Sequence, residues 1–251
     1  MKCKKIIVHV PHTSLKLPKN FFNQIITEKK ELKSFNLFMC DRYVDKFIPL
    51  NIKKIKFKYS RIFCDVERFK DDNKEEMAKK GMGICYTKDN KHKKFINYDK
   101  DYKAKVISNY YDKHHNKLDD VSKNIVSKYG IAYIVDLHSF SDRQVKDLFD
   151  IEDTPDICLG IDNYFCDKKI LKFTKDYFED KGYTVKINFP YRGTLVPNYF
   201  YERKDKHIKS LMIEINKRLY LKENLKSIKN YNKIKRLIKK YFKELNKIIN
   251  S

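Results

Sequence analysis

The chain has no tryptophan and only six glycines in 251 residues. Gly81-Met82-Gly83 is too little for a glycine-rich loop that cradles phosphates, so no nucleotide fingerprint is present. Six cysteines (Cys3, Cys40, Cys64, Cys85, Cys158 and Cys166) include no CxxC pair, which removes the zinc-finger patterns. No apolar run approaches the roughly 20 residues needed to span a bilayer, so no membrane partner is expected. The opening MKCKKIIVHV lacks a secretory apolar region followed by a cleavage site, and a cytoplasmic protein with reduced thiols is expected. Arginine is scarce as well, at eight against 48 lysines in a formal net charge of +23. Proteins that read bases or grip phosphate bidentately lean on arginine, and these lysines are dispersed along the whole chain. The charge therefore looks like compositional drift, and nucleic acid is not the expected partner. The general field still attracts anions.

Hydrophobic residues make up 41% of the chain and aromatics 14%, ample material for the core of one domain over residues 1–251. An apolar run rich in β-branched residues, Ile131 to Val135, follows Gly130 and reads as a buried strand ending at Asp136. Asp136, His138, Ser139 and Asp142 come next, where open α/β sheets bind ligands. From these residues alone, His138 is either a metal ligand or proton carrier oriented by Asp136, or a strand-end histidine satisfied by a backbone carbonyl.

The segment KIIVHV at 5–10 is a second strand, with His9 inside it as a packing histidine and His12 in the turn at its end. Phe21 to Phe47 has a helical pattern in which Asp41 and Asp45 share a face. Ile52 to Tyr59 alternates as a half-exposed strand, and 60–68 continues as another extended piece carrying Arg61 and Arg68. These forked donors suit carboxylate recognition, or ordinary pairing with Asp65 or Glu67. Residues 70–101 read as a mobile loop or lid with a small hairpin around ICYT. A helix is expected over 101–128, strands near 154–160 and 183–187, and a helix over 170–181. A loop carrying Arg192 follows, and then a strand over 210–216 that holds Glu214 among apolar neighbours, a costly place for a carboxylate without a function or fixed partner. Residues 222–251 form an amphipathic helical segment that packs on the sheet.

Taken in order, VPHTS, CDRYVDKF, SRIFCDVERF, YYDKHHNKL, DLHSFSD, PDICLG, PYRGTLVP and MIEINKRLYL make the chain resemble the N-formylglutamate amidohydrolase family over residues 5 to 221. That family is similar in fold to zinc carboxypeptidases, which implies a single α/β domain with a mixed, mostly parallel sheet between helices. The resemblance implies one zinc ion on His12 and His138 with an acid completing the set. Carboxypeptidases place that acid three residues after the first histidine, where this chain has Leu15, so Asp41 is the replacement and Asp45 the second choice. Glu214 is then the general base on a zinc-activated water. Arg68 joins it in catalysis, and Arg61, Arg192 and Ser139 bind a small acidic N-acyl amino acid. A departure is Glu67, where the family more often has asparagine. Alternatives are a hydrolase of another N-acyl amino acid or small peptide, and a catalytically silent anion- or nucleic-acid-binding protein of the same fold.

Overall fold

A computed structural model describes residues 3–222, 224, 225, 228 and 230–250. In chain order the elements are β1 (Cys3–Val10), α1 (Lys29–Met39), β2 (Ile52–Lys56), the single turn α2 (Glu76–Lys79), α3 (Lys100–Val106), α4 (Asp112–Tyr129), β3 (Ala132–Phe140), α5 (Asp142–Phe149), β4 (Ile157–Gly160), α6 (Lys168–Glu179), β5 (Val185–Ile187), α7 (Asn198–Arg203), β6 (Ile208–Asn216) and α8 (Tyr231–Asn250). The strands form one six-stranded sheet in the order β2-β1-β3-β6-β4-β5. β1, β3 and β6 run parallel, β4 is antiparallel to β6, and β5 is parallel to β4. This is the expected α/β class with a mixed, mostly parallel sheet.

The chain divides into two compact units, one of Met1–Val10, Tyr43–Ile55 and Leu118–Ser251, the other of Pro11–Arg42 and Lys56–Lys117. The first contains the sheet. Strand alternation sends Ile6, Val8, Val135, Leu137, Leu211, Ile213 and Ile215 to one face, where they meet Ile170 and Phe178 of α6 and Ile234, Ile238, Tyr241 and Leu245 of α8. Spacing of three and four residues puts those α8 side chains on one stripe, and burying each contributes about 1.5–3 kcal/mol. On the opposite face Ile7, Ile134 and Ile208 pack with Leu118 and Phe200. That second face is apolar at the start of the strands and polar toward their carboxyl ends.

β3 does not stop at Asp136. It pairs with β6 as far as Phe140↔Asn216, so His138 and Ser139 lie inside a fully laddered strand. The helix expected over 222–251 begins at Tyr231, because Leu225 and Asn230 take left-handed backbone conformations (φ 55° and 50°) that interrupt it. Positions 223, 226, 227, 229 and 251 of that expectation lie outside the described residues.

In the second unit, the helix expected from Phe21 to Phe47 is a 3-10 turn at Lys19–Gln24 followed by α1, which ends at Met39. Asp41 lies beyond it, its N–H donating to the His12 carbonyl at 2.9 Å. Tyr43 has a left-handed φ of 68°, so Asp41 and Asp45 do not share a helical face. The piece expected as extended over 60–68 opens as a tight turn, with the N–H groups of Phe63 and Cys64 both donating to the Ser60 carbonyl. The helix expected over 101–128 is present as α3 and α4, joined by a π-helical segment at Ile107–Tyr111. The stretch expected as a lid puts Met82, Ile84, Cys85 and Tyr86 into the interior.

Candidate functional site

Each unit buries polar side chains that sequence reasoning had singled out. In the first, the face that begins with Ile7, Ile134 and Ile208 continues with His9 on β1, Asp136 and His138 on β3, and Glu214 on β6. The register is His9↔Asp136 and His138↔Glu214. One Asp136 carboxylate oxygen accepts from His9 Nδ1 at 2.8 Å and lies 3.0 Å from His138 Nε2. The other accepts the Leu195 N–H at 3.1 Å. Asp136 thus orients the His138 ring, as the sequence suggested, and tethers the loop that carries Arg192. That loop is fixed further by Asn188 Oδ1, which accepts from the N–H groups of Ile161 and Gly193. Gly160 is required beneath it, since a Cβ there would stand 2.1 Å from the Gly193 carbonyl oxygen. Arg192 itself is exposed, and no ion pair involves it among the described residues.

Glu214 is flanked by His138 on one side and by Cys158 of β4 on the other. Burial, assisted by the Glu214 charge, pushes the Cys158 thiol up to about 12, so it stays protonated and is no nucleophile. Ser139 pairs with Ile215 and therefore points to the α6 and α8 side, away from His138 and Glu214. Its expected place at a substrate does not fit that direction. Asp142 also leaves the cluster, accepting from Asn216 Nδ2 at 2.6 Å and Arg218 Nη1 at 2.7 Å at the start of α5.

In the second unit the hub is Asp65, fully buried. Its Oδ1 accepts from His12 Nε2 at 2.8 Å and the Glu67 N–H at 3.1 Å. Its Oδ2 accepts from Arg61 Nη2 at 2.8 Å, Arg61 Nε at 3.1 Å and the Tyr86 hydroxyl at 2.8 Å. Burial alone would raise the Asp65 carboxyl, but Arg61, His12 and Arg68 outweigh it and hold it well below the usual carboxylate range. Burial first, and then the Arg61 charge, lower the His12 imidazole, against the opposing pull of Asp65 and Glu67. His12 is accordingly neutral near pH 7, with its proton on the nitrogen that faces Asp65. Its Nδ1 is 3.7 Å from Asp41 Oδ2 and 3.7 Å from Glu67 Oε2. Asp45, the second choice, sits in the short turn Val44–Lys46 with its carboxylate 3.9 Å from Lys46 Nζ.

The Asp65 segment is anchored from behind by the π-helical segment and the start of α4. Tyr111 donates to the Arg68 carbonyl at 2.8 Å, and His115 Nε2 meets the Val66 carbonyl at 2.7 Å. Arg68 directs Nε to the Met82 carbonyl at 3.2 Å, with Nη2 3.7 Å from Asp65. The unit therefore gathers His12, Asp41, Arg61 and Arg68. Sequence reasoning weighed Asp65 only as an ion-pair partner and missed Tyr86, which lies in a charged stretch with no motif. The tyrosine in ICYT, four residues after Met82, was the sole available signal.

Each candidate histidine has its Nε2 beside a buried carboxylate, His12 by Asp65 and His138 by Asp136, the way carboxylates orient metal-ligating imidazoles. A sequence model of N-formylglutamate amidohydrolase matches residues 4–221. The chain belongs to the N-formylglutamate amidohydrolase family. Its fold is similar to that of an N-formylglutamate amidohydrolase from Ralstonia eutropha JMP134, with a TM-score of 0.84 and 19% identity over 100% of this chain and 95% of that one. A gene product of Agrobacterium tumefaciens is also similar, with a TM-score of 0.67 and 16% identity over 96% of this chain and 88% of the other. No protein of curated function matches the sequence significantly. No helix among the described residues is long and apolar enough to cross a membrane.

Proposed function

We propose that this member of the N-formylglutamate amidohydrolase family is a zinc-dependent hydrolase that cleaves the amide bond of an N-formyl amino acid such as N-formylglutamate, with residues 1–251 working as one domain. The observation that carries the proposal is the register His138↔Glu214. It sets a buried carboxylate beside an imidazole that a second carboxylate already orients. His12, Asp41 and His138 would hold the ion. Their donor set suits zinc, being two imidazoles and one carboxylate, all buried, with both rings oriented by Asp65 or Asp136. By sequence His12 follows β1 after a single proline, and β1 is the neighbour of β3, which carries His138.

Zinc supplies a Lewis acid that polarises the scissile carbonyl and makes water a better nucleophile at neutral pH. The protein's own groups do the rest. Glu214 accepts the proton of the attacking water on its carboxylate and gives it to the leaving amine. Arg68, whose half-buried guanidinium stays charged because the carboxylates of Asp65 and Glu75 offset the cost of burial, donates to the carbonyl oxygen as negative charge gathers there. Arg192 takes the α-carboxylate of the amino acid. Arg61 acts through Asp65, fixing the orientation of His12. Six free cysteines agree with a reducing compartment, and we assign the protein to the cytoplasm.

Two measurements test these roles. Purified protein supplied with zinc should bind one equivalent, which His138→Ala and Asp41→Ala should lose and Asp45→Ala should retain. Unchanged stoichiometry in His138→Ala would show the ligand assignment to be wrong. Arg192→Lys keeps the charge but loses the fork, so it should raise KM for N-formyl amino acids several-fold, with metal content unaltered. An unchanged KM would remove Arg192 from substrate binding.

A further inference from the structure

We infer that His9 is a positioning residue: through the Asp136 carboxylate it holds both the His138 ring and the loop that carries Arg192. The inference rests on the roles proposed above for His138 and Arg192. The sequence marks His9 as a packing histidine inside β1, but its place in the sheet gives it a bonded partner. Strand alternation puts it on the face of Ile7, opposite Ile6, Val8 and Val10, and the β1–β3 register sets it directly beside Asp136. Its Nδ1 donates to Asp136 Oδ1 at 2.8 Å, and the same oxygen lies 3.0 Å from His138 Nε2. Asp136 Oδ2 accepts the Leu195 N–H at 3.1 Å. Leu195 is held through its carbonyl as well, which accepts from Ser210 Oγ of β6 at 2.6 Å, while Thr194 Oγ1 lies 2.8 Å from that hydroxyl. A carboxylate on β3 and a hydroxyl on β6 therefore fasten the chain just beyond Arg192.

A carboxylate with one neighbour on each oxygen can turn about its Cβ–Cγ bond toward either at the other's expense. The His9 donor fixes the plane of the group, so that Oδ1 faces His138 while Oδ2 faces Leu195. β1 and β3 are paired from Ile6↔Tyr133 to His9↔Asp136, so the ladder itself places that donor. The side chains of His9 and Asp136 are 0% and 2% exposed, and the bond between them is shielded from competing water. In buried networks of this kind the loss of one member is felt by the others. Removing the His9 donor should therefore disturb the zinc ligand and the substrate loop together.

The test compares the full-length wild type with His9→Leu, His9→Gln and His9→Asn. An asparagine amide nitrogen falls near the place of Nδ1 and a glutamine amide nitrogen near that of Nε2, whereas leucine offers no donor. His9→Leu and His9→Gln should weaken zinc binding, read by competition with a chelating dye, by about tenfold, the lower end for groups that support metal-ligating histidines. Both should raise KM for N-formyl amino acids more than they lower kcat, and in zinc-free protein both should speed deuterium exchange at the Leu195 amide. His9→Asn should recover most of each loss. Packing alone predicts the reverse order, because leucine fills the apolar volume while asparagine leaves a cavity and a buried polar group. Adding His9→Leu to Asp136→Asn should cost little zinc affinity beyond Asp136→Asn alone, since His9 acts through that carboxylate. Asparagine as impaired as leucine, unchanged exchange at Leu195 in His9→Leu, or additive losses in the double variant overturns the role of His9 and leaves the amidohydrolase activity standing. A wild type that binds no zinc and hydrolyses no N-formyl amino acid overturns both.

Discussion

Glu214→Gln should retain fold and metal while lowering turnover by about 10²–10⁴-fold, the usual contribution of a general base. The substitution keeps shape and hydrogen bonding but removes the ability to take a proton. Its surroundings make that separation clean. Glu214 lies on the face of β6 opposite Leu211, Ile213 and Ile215, so the α6 and α8 core does not depend on its charge. Its neighbour Cys158 is held protonated and does not compete as a base, and its neighbour His138 is assigned to the metal. A purely structural carboxylate would give the opposite pattern, a lowered melting temperature with near-normal turnover in the folded fraction. A thermal melt and a rate assay on this one variant distinguish the two, and retained turnover would end the general-base role.

The strands were legible wherever composition alone decides them. Ile6 to Val10, Ile131 to Val135 and Leu211 to Ile215 are mostly apolar runs, interrupted only by His9, Tyr133 and Glu214, and the strands they mark, β1, β3 and β6, lie in the centre of the sheet. The far end of β3 was not legible. Asp136-Leu137-His138-Ser139 looks like the end of a strand because polar residues normally mark it. Here the ladder to β6 continues, and Asp136 and His138 satisfy each other inside it. Pairing of buried charges depends on neighbours far apart in sequence, and no local pattern reports it. The same reason hid Tyr86, 21 positions from Asp65, and the role of the Asp41 turn, whose bond to the His12 carbonyl spans 29 positions. The helix expected through Asp45 failed for a local reason instead. Hydrophobic spacing runs on through Tyr43, but its left-handed backbone ends the pattern where periodicity cannot register it.

Asp65→Asn should cost about 3–5 kcal/mol, the usual penalty for removing one partner of a buried ion pair. The cost follows from where the donors lie. Oδ1 accepts from His12 and the Glu67 N–H, and Oδ2 accepts from Arg61 and Tyr86. Either orientation of an asparagine amide therefore turns its NH2 group toward two donors, and Arg61 loses its counter-charge. At roughly 2–4 °C per kcal/mol for a chain of this size, the melting temperature should fall by about 6–20 °C. Zinc affinity should fall by about 10–100-fold, because the ring of His12 loses its fixed orientation. The pH dependence has a definite sign. Asp65 is held below its ordinary value in the folded state, so its stabilisation is present above the unfolded value near pH 4 and is lost as pH falls through the lowered folded value. Urea titrations across that range should show the wild type losing stability toward acid more steeply than the variant. Adding Arg61→Met to Asp65→Asn should recover part of the loss, because it removes the stranded charge. A single-variant change below about 1 kcal/mol, or no recovery in the double variant, would mean that Asp65 is not the electrostatic keystone of its unit.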